Sequence, residues 1–199
     1  MHILTKIQFF FFAFSWSLTV IGQASQFEVR LITQKVDCIK KKAFVDIEIK
    51  ASEGTKGFHL ASQNYRFTFD PEVVENPKLQ KELELSGLVQ GETAPSMYNP
   101  HTMVGTKGSL VSYNVVLASG PGVFVTSDNW ISIGRIEFDI KNINKLFNAT
   151  WHDDQNEGFP KTIIIKKEQQ TYQKMDGGKF GQENPSFKRF CSSSEDDRA

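Results

Sequence analysis

The stretch LASQNYRFTFDPEVV, residues 60–74, constrains the fold more than any other. Tyr65, Phe67 and Phe69 fall on one side of an extended chain, and Asn64, Arg66 and Thr68 on the other. A period of two is the signature of a half-buried strand, with the aromatics turned to a core and the polar set to solvent or a binding surface. Asp70-Pro71 stops it, because proline has no ladder donor and forces its predecessor into extended geometry.

The same period recurs along the chain. In QFEVRLI, 26–32, Phe27, Val29 and Leu31 alternate. In AFVDIEIK, 43–50, Ala43, Val45, Ile47 and Ile49 share a face. NWISIGRIEFDI, 129–140, changes phase: Ile131 and Ile133 are in one register, Ile136, Phe138 and Ile140 in the other. Gly134 between them predicts a β-bulge. SLVSYNVVLA, LFNATW and TIIIK read as further strands. After Pro71 a short helical turn is expected, cut by Pro77, with a strand over 82–90. Residues 91–108 read as one long loop. SEGTKG and SGPG are turns by composition. Eight or nine strands at roughly ten-residue intervals, with no long amphipathic helix, predict an all-β protein folded as an antiparallel β-sandwich of jelly-roll type.

Residues 1–24 read as a signal peptide: Lys6, then a nearly uncharged run from Ile7 to Gly22, then small residues at Gly22 and Ala24. Cleavage is expected after Ala24, with Gly22 as the alternative. A membrane anchor is the competing reading, and the run is short for one. The protein is therefore expected to be secreted, extracellular or periplasmic, and not integral to a membrane. One domain spans 25–167, and 168–199 form a polar, partly disordered tail. Losing Lys6 leaves 22 basic against 23 acidic residues. That balance argues against nucleic acid and against general adhesion to anionic lipid. In an oxidising compartment Cys38 and Cys191 are expected to pair, with two free thiols as the alternative.

The order of FVDIEIKA, the Phe69-Asp70-Pro71 turn followed by Val73 and Val74, and the late Gly134, Ile136, Phe138, Ile140 strand resembles the cohesin-like branch of β-sandwich modules, related in shape to some carbohydrate-binding modules. The resemblance spans about residues 27–166. It implies a single module of the kind found in secreted proteins of Bacteroidetes-type bacteria, one that recognises a partner and has no catalytic machinery. The long 91–108 loop departs from the pattern, and there is no duplicated calcium loop of dockerin type.

No G-x-S-x-G, H-E-x-x-H, phosphate loop or S-x-x-K is present. His59, His101 and His152 are far apart in sequence. In WHDDQNEGFP, 151–160, Asp153, Asp154, Asn156 and Glu157 are oxygen ligands of the type calcium takes, although the EF-hand spacing fails; a solvated acidic turn is the alternative. No other cofactor is expected. Tyr98 with His101, and Trp151 with His152, combine a flat ring with hydrogen-bonding neighbours, as sugar-stacking sites do. Trp130 also falls beside a loop. Rings plugging the core are the alternative. Asn148-Ala149-Thr150 is a formal glycosylation sequon. The expected function is a secreted, monomeric, non-catalytic module binding a protein or polysaccharide. The alternatives are a hydrolase using the acids of 151–157, which would need them clustered with a histidine, and a structural matrix subunit, which would expose a sheet edge or an apolar patch.

Overall fold

A computed structural model describes residues 26–80, 98, 103–152, 162–182 and 187–191. The expected signal peptide and the expected strand over 82–90 lie outside them. The described chain is a two-sheet sandwich of twelve strands and a short helix. The strands are β1 (Phe27–Asp37), β2 (Lys42–Ala51), β3 (Phe58–Phe69), β4 (Val74–Leu79), β5 (Met103–Lys107), β6 (Leu110–Val115), β7 (Phe124–Val125), β8 (Ile131–Ile140), β9 (Ala149–Trp151), β10 (Ile163–Glu168), β11 (Thr171–Lys174) and β12 (Gly178–Gln182). The helix, α1, is Phe187–Cys191. Among the described residues no helix is long and apolar enough to cross a membrane.

One sheet has five strands in the order β12-β1-β2-β8-β4. The other has seven: β11-β10-β3-β6-β5 in a row, with β7 and β9 also paired to β3. Strand β3 is the spine of this second sheet. β10 and β9 follow one another along one of its edges, and β7 and β6 along the other.

The alternating residues turn inward as their period demands. Phe27, Val29 and Leu31 of β1 meet Val45, Ile47 and Ile49 of β2, all buried. Tyr65, Phe67 and Phe69 face them from β3. The bulge foreseen at Gly134 is present: Ile47 pairs with Gly134 and Glu48 with Ser132, leaving Ile133 as the extra residue. Tyr113 explains the glycine. Its ring lies where a Cβ on residue 134 would stand, 2.5 Å away, and its hydroxyl donates to the Ile133 carbonyl at 2.9 Å.

The structure corrects the sequence reading in four places. Residues 74–79 form a strand rather than a helical turn. β4 is an edge strand whose pairing slips between Glu75 and Lys78, so Pro77 sits in an irregularity where no ladder donor is needed. The 91–108 segment is not wholly loop, since β5 occupies 103–107 and forms a hairpin with β6. The sandwich does not end at 167. β11 extends the seven-stranded sheet, β12 pairs with β1, and α1 puts Phe187 into the core beside Phe147. Finally, β12 runs parallel to β1, so the sandwich is not purely antiparallel. The sequence signal for these last elements was weak for a physical reason. β11 is exposed at every residue and β12 at nearly all, so neither carries an apolar alternation.

Cys38, just past β1, and Cys191, at the end of α1, form a disulfide with Cα atoms 5.7 Å apart, as expected. It spans 153 residues and fastens the last described segment to the first strand.

Candidate functional site

A sandwich offers two outer faces, and here they differ in kind. The outer face of the five-stranded sheet is a lattice of paired charges. Arg135 of β8 grips Asp46 of β2 with two nitrogens, at 2.5 and 2.8 Å. Arg30 reaches Glu48 at 2.6 Å, and Lys50 reaches Glu28 at 3.4 Å. Lys42 bridges Glu137 and Asp139. Asp46 and Glu48 are themselves buried under this lattice. Trp130 lies beneath two cations, with the Arg30 guanidinium 4.2 Å and the Lys50 ammonium 5.0 Å from its ring centre. Its ring is thus already occupied. The ion pairs shift their members' proton affinities as expected. Hydrogen bonds from Lys42 and then Asn76 hold Asp139 below the usual carboxylate range, and the Asp46 carboxylate raises Arg135.

The outer face of the seven-stranded sheet carries few charges. The residues of β3 that alternate with its core aromatics are Asn64, Arg66 and Thr68, and beside them on β6 stand Ser112 and Asn114. These side chains bond one another. Arg66 Nε donates to Asn64 Oδ1 at 3.2 Å, Ser112 Oγ to the same oxygen at 3.3 Å, and Asn114 Nδ2 to Ser112 Oγ at 3.4 Å. Half-buried Leu110, Ile163 and Ile165 lie among them. At one end of this ladder two apolar side chains stand out, Phe124 and Val116, each 47% exposed. Phe124 is held in place by His59, its cross-strand partner, with ring centres 4.9 Å apart. His59 in turn is fixed by a contact of 3.2 Å between its Nδ1 and the Gly122 carbonyl.

The residues singled out in the sequence have separate fates. Tyr98 is no stacking platform. It is buried, its hydroxyl donates to the Leu60 carbonyl at 2.8 Å and accepts from the Val123 amide at 3.0 Å, and burial raises its phenol's pKa. A ring stapled into the core in this way has no face to offer a sugar. His101, Asp153, Asp154, Asn156 and Glu157 lie outside the described residues. Trp151 and His152 are brought together at the end of β9, where the backbone of Arg66 anchors two stretches of chain. The His152 amide donates to the Arg66 carbonyl at 3.0 Å, and the Arg66 amide donates to Thr162 Oγ1 at 2.9 Å. Trp151 is half-buried against Phe67 and Phe180, and its indole N–H donates to the Gly181 carbonyl at 2.8 Å. One side of Trp151 plugs the sheet edge, and the residue also lines a cleft of about 590 Å³.

Among the described residues no three histidine, cysteine or acidic side chains converge as metal ligands would. Phe124, Val116 and His59 were missed as a group. Phe124 is in a two-residue strand, where only the register of β7 on β3 reveals that it leaves the core, and Val116 follows the inward Val115 in an apolar run that hides the alternation. The alternation of Asn64, Arg66 and Thr68 was the usable signal for this face.

No family model matches the chain, and no curated protein sequence matches it. The backbone does match solved structures. A chain of a type II cohesin–X–dockerin complex from Acetivibrio cellulolyticus aligns over 80% of this chain and 98% of its own, at 10% identity and a TM-score of 0.51. The second type II cohesin module of the cellulosomal adaptor scaffoldin of the same organism aligns over 83% and 98%, at 11% identity and a TM-score of 0.46. A type I cohesin from Pseudobacteroides cellulosolvens aligns over 80% and 89%, at 11% identity and a TM-score of 0.45. At such identities the likeness is one of fold, and the fold is a cohesin-like β-sandwich.

Proposed function

We propose that this cohesin-like sandwich is a secreted, non-catalytic module that recognises another protein through the outer face of its seven-stranded sheet. The observation that carries the reading is the contrast between the two faces. Covering the charge lattice of the five-stranded sheet would strip water from ions already paired, with little to gain. The other face presents mostly neutral donors and acceptors, with Arg66 as the charge among them, already ordered by their own hydrogen bonds, and Phe124 and Val116 as protruding anchors. Protein interfaces favour that mixture: few charges at the centre, apolar and aromatic anchors, polar groups around them. A solved structure that matches with a TM-score above one half comes from a complex named for cohesin and dockerin, which supports a protein as the partner class. Export is supported by the N-terminal apolar run and by the Cys38–Cys191 disulfide, which suits an oxidising compartment.

The test uses the chain from Ser25 as bait for the secreted and surface proteins of its source. Phe124→Ser with Asn64→Arg disrupts the proposed face, and Lys50→Gln on the opposite sheet serves as control. A partner retained by the wild type and the control but lost with the double variant supports the reading. A partner retained equally by all three chains removes it. A parallel arm with a calcium chelator tests the proposal that Asp153, Asp154, Asn156 and Glu157 hold calcium. Polysaccharide recognition, the second reading, cannot use Tyr98 and depends on the cleft around Trp151.

A further inference from the structure

The two sheets part where β12 crosses to the side of β1 and β9 ends after three residues. The 590 Å³ cleft between them lies within the range of ligand pockets. Half-buried Trp151 and exposed Phe180 wall the cleft, ring centres 5.5 Å apart, and buried Phe27 backs Phe180 edge to face at 5.9 Å. The wall is rigidly held. The indole N–H is tied across the cleft to β12, and the Phe27 ring lies directly on Gly178, where a Cβ would stand 2.3 Å from two ring carbons. Around this wall are hydrogen-bonding residues: His152, Thr150 and Gln182. Lys174 and Asp176, also at the cleft, lie 4.0 Å apart and offset each other's charge.

One group beside the cleft is unsatisfied. His152 Nε2 is buried without a hydrogen-bond partner among the described residues. A ring nitrogen left in that state costs free energy unless something pairs with it, and such exceptions ask for an explanation.

We propose that this cleft is a saccharide-binding site, separate from the protein-binding face. The chemistry selects the ligand class. A preordered aromatic wall fits the apolar face of a pyranose ring. Neutral donors and acceptors at its border fit hydroxyl groups. The offset Lys174–Asp176 pair leaves no net charge for an anionic or cationic ligand to answer, so the sugar is neutral.

The experiment follows the indole N–H resonances of the chain from Ser25 by two-dimensional NMR, with Trp151→Phe identifying the Trp151 signal. The probes are neutral hexasaccharides of glucose, mannose, galactose and xylose at millimolar concentration, and an unrelated peptide containing tryptophan and proline. Expected is a saturable shift of the Trp151 resonance with at least one hexasaccharide, no shift at Trp130, and at least tenfold weaker binding in His152→Ala and in Gln182→Ala. Both variants should keep the wild-type near-ultraviolet circular dichroism. Silence of Trp151 with all four sugars overturns the proposal. So does binding that both variants leave unchanged, or a shift caused only by the peptide. None of these results bears on the Phe124 face, whose test uses other residues.

Discussion

At the scale of single residues, Tyr65 is the most informative position. It is fully buried, and its hydroxyl has no hydrogen-bond partner among the described residues. A buried unpaired hydroxyl costs about 1–3 kcal/mol, so Tyr65→Phe is expected to raise stability by about 1 kcal/mol, read from urea denaturation. The same burial pushes the Tyr65 phenol well above its ordinary value. A group whose pKa is raised by folding contributes its full stability below the unfolded value and loses it as pH rises through the folded one. The protein should therefore weaken above about pH 10, the unfolded tyrosine value, and Tyr65→Phe should flatten that alkaline limb. Gly134 makes the opposite case. A methyl group there would meet the Tyr113 ring at 2.5 Å, so Gly134→Ala is expected to cost about 1–3 kcal/mol in the same denaturation assay. Both positions were half legible in the sequence. Their period showed that Tyr65 faces the core and that residue 134 is a bulge, because burial imprints alternation. That Tyr113 fills the space over Gly134, or that the Tyr65 hydroxyl stays unpaired, depends on which strands of opposite sheets meet, and alternation carries no such information.

At the scale of elements, the apolar, alternating strands β1, β2, β3, β6 and β8 were readable and the edges were not. β4 hides behind Pro77, and β11 and β12 are polar because edge strands have little to bury. Their role shows in what they hold. β12 supplies the Phe180 side of the cleft, and α1 supplies Phe187 to the core. A chain ending at Lys167, the boundary the composition implied, should fail to give a cooperative thermal transition. Retaining the whole chain but reducing the disulfide is a milder change. Closing a loop of 153 residues stabilises by about 5 kcal/mol in the chain-entropy picture, so Cys38→Ser with Cys191→Ser should lower the melting temperature sharply while leaving a foldable chain. Of the binding residues suggested by composition, Trp151 and His152 reached a cleft and Tyr98 did not. A ring beside loop residues looks the same in sequence whether its hydroxyl meets water or, as here, the Leu60 carbonyl.

At the scale of the molecule, the two faces differ in charge. Pairing of exposed ions weakens as salt rises, whereas neutral hydrogen bonds and apolar contacts do not. If the partner docks on the Asn64, Ser112 and Phe124 face, its affinity should change less than threefold between low and near-molar salt, measured by calorimetry. A steep loss would move the interface to the Arg30, Lys50 and Arg135 lattice. The arrangement of the chain ends has a consequence for how the protein comes to be made. The first strand of the sandwich receives its outermost neighbour from the last, and in parallel. Synthesis runs from the other direction, so β1 must wait, with one edge unpaired, while some 150 residues are added. An unpaired edge is what stray strands attach to, and contacts this distant in sequence form slowly. The nascent sandwich is therefore most vulnerable to its own kind until β12 is added, and the Cys38–Cys191 bond then fastens the same two regions together.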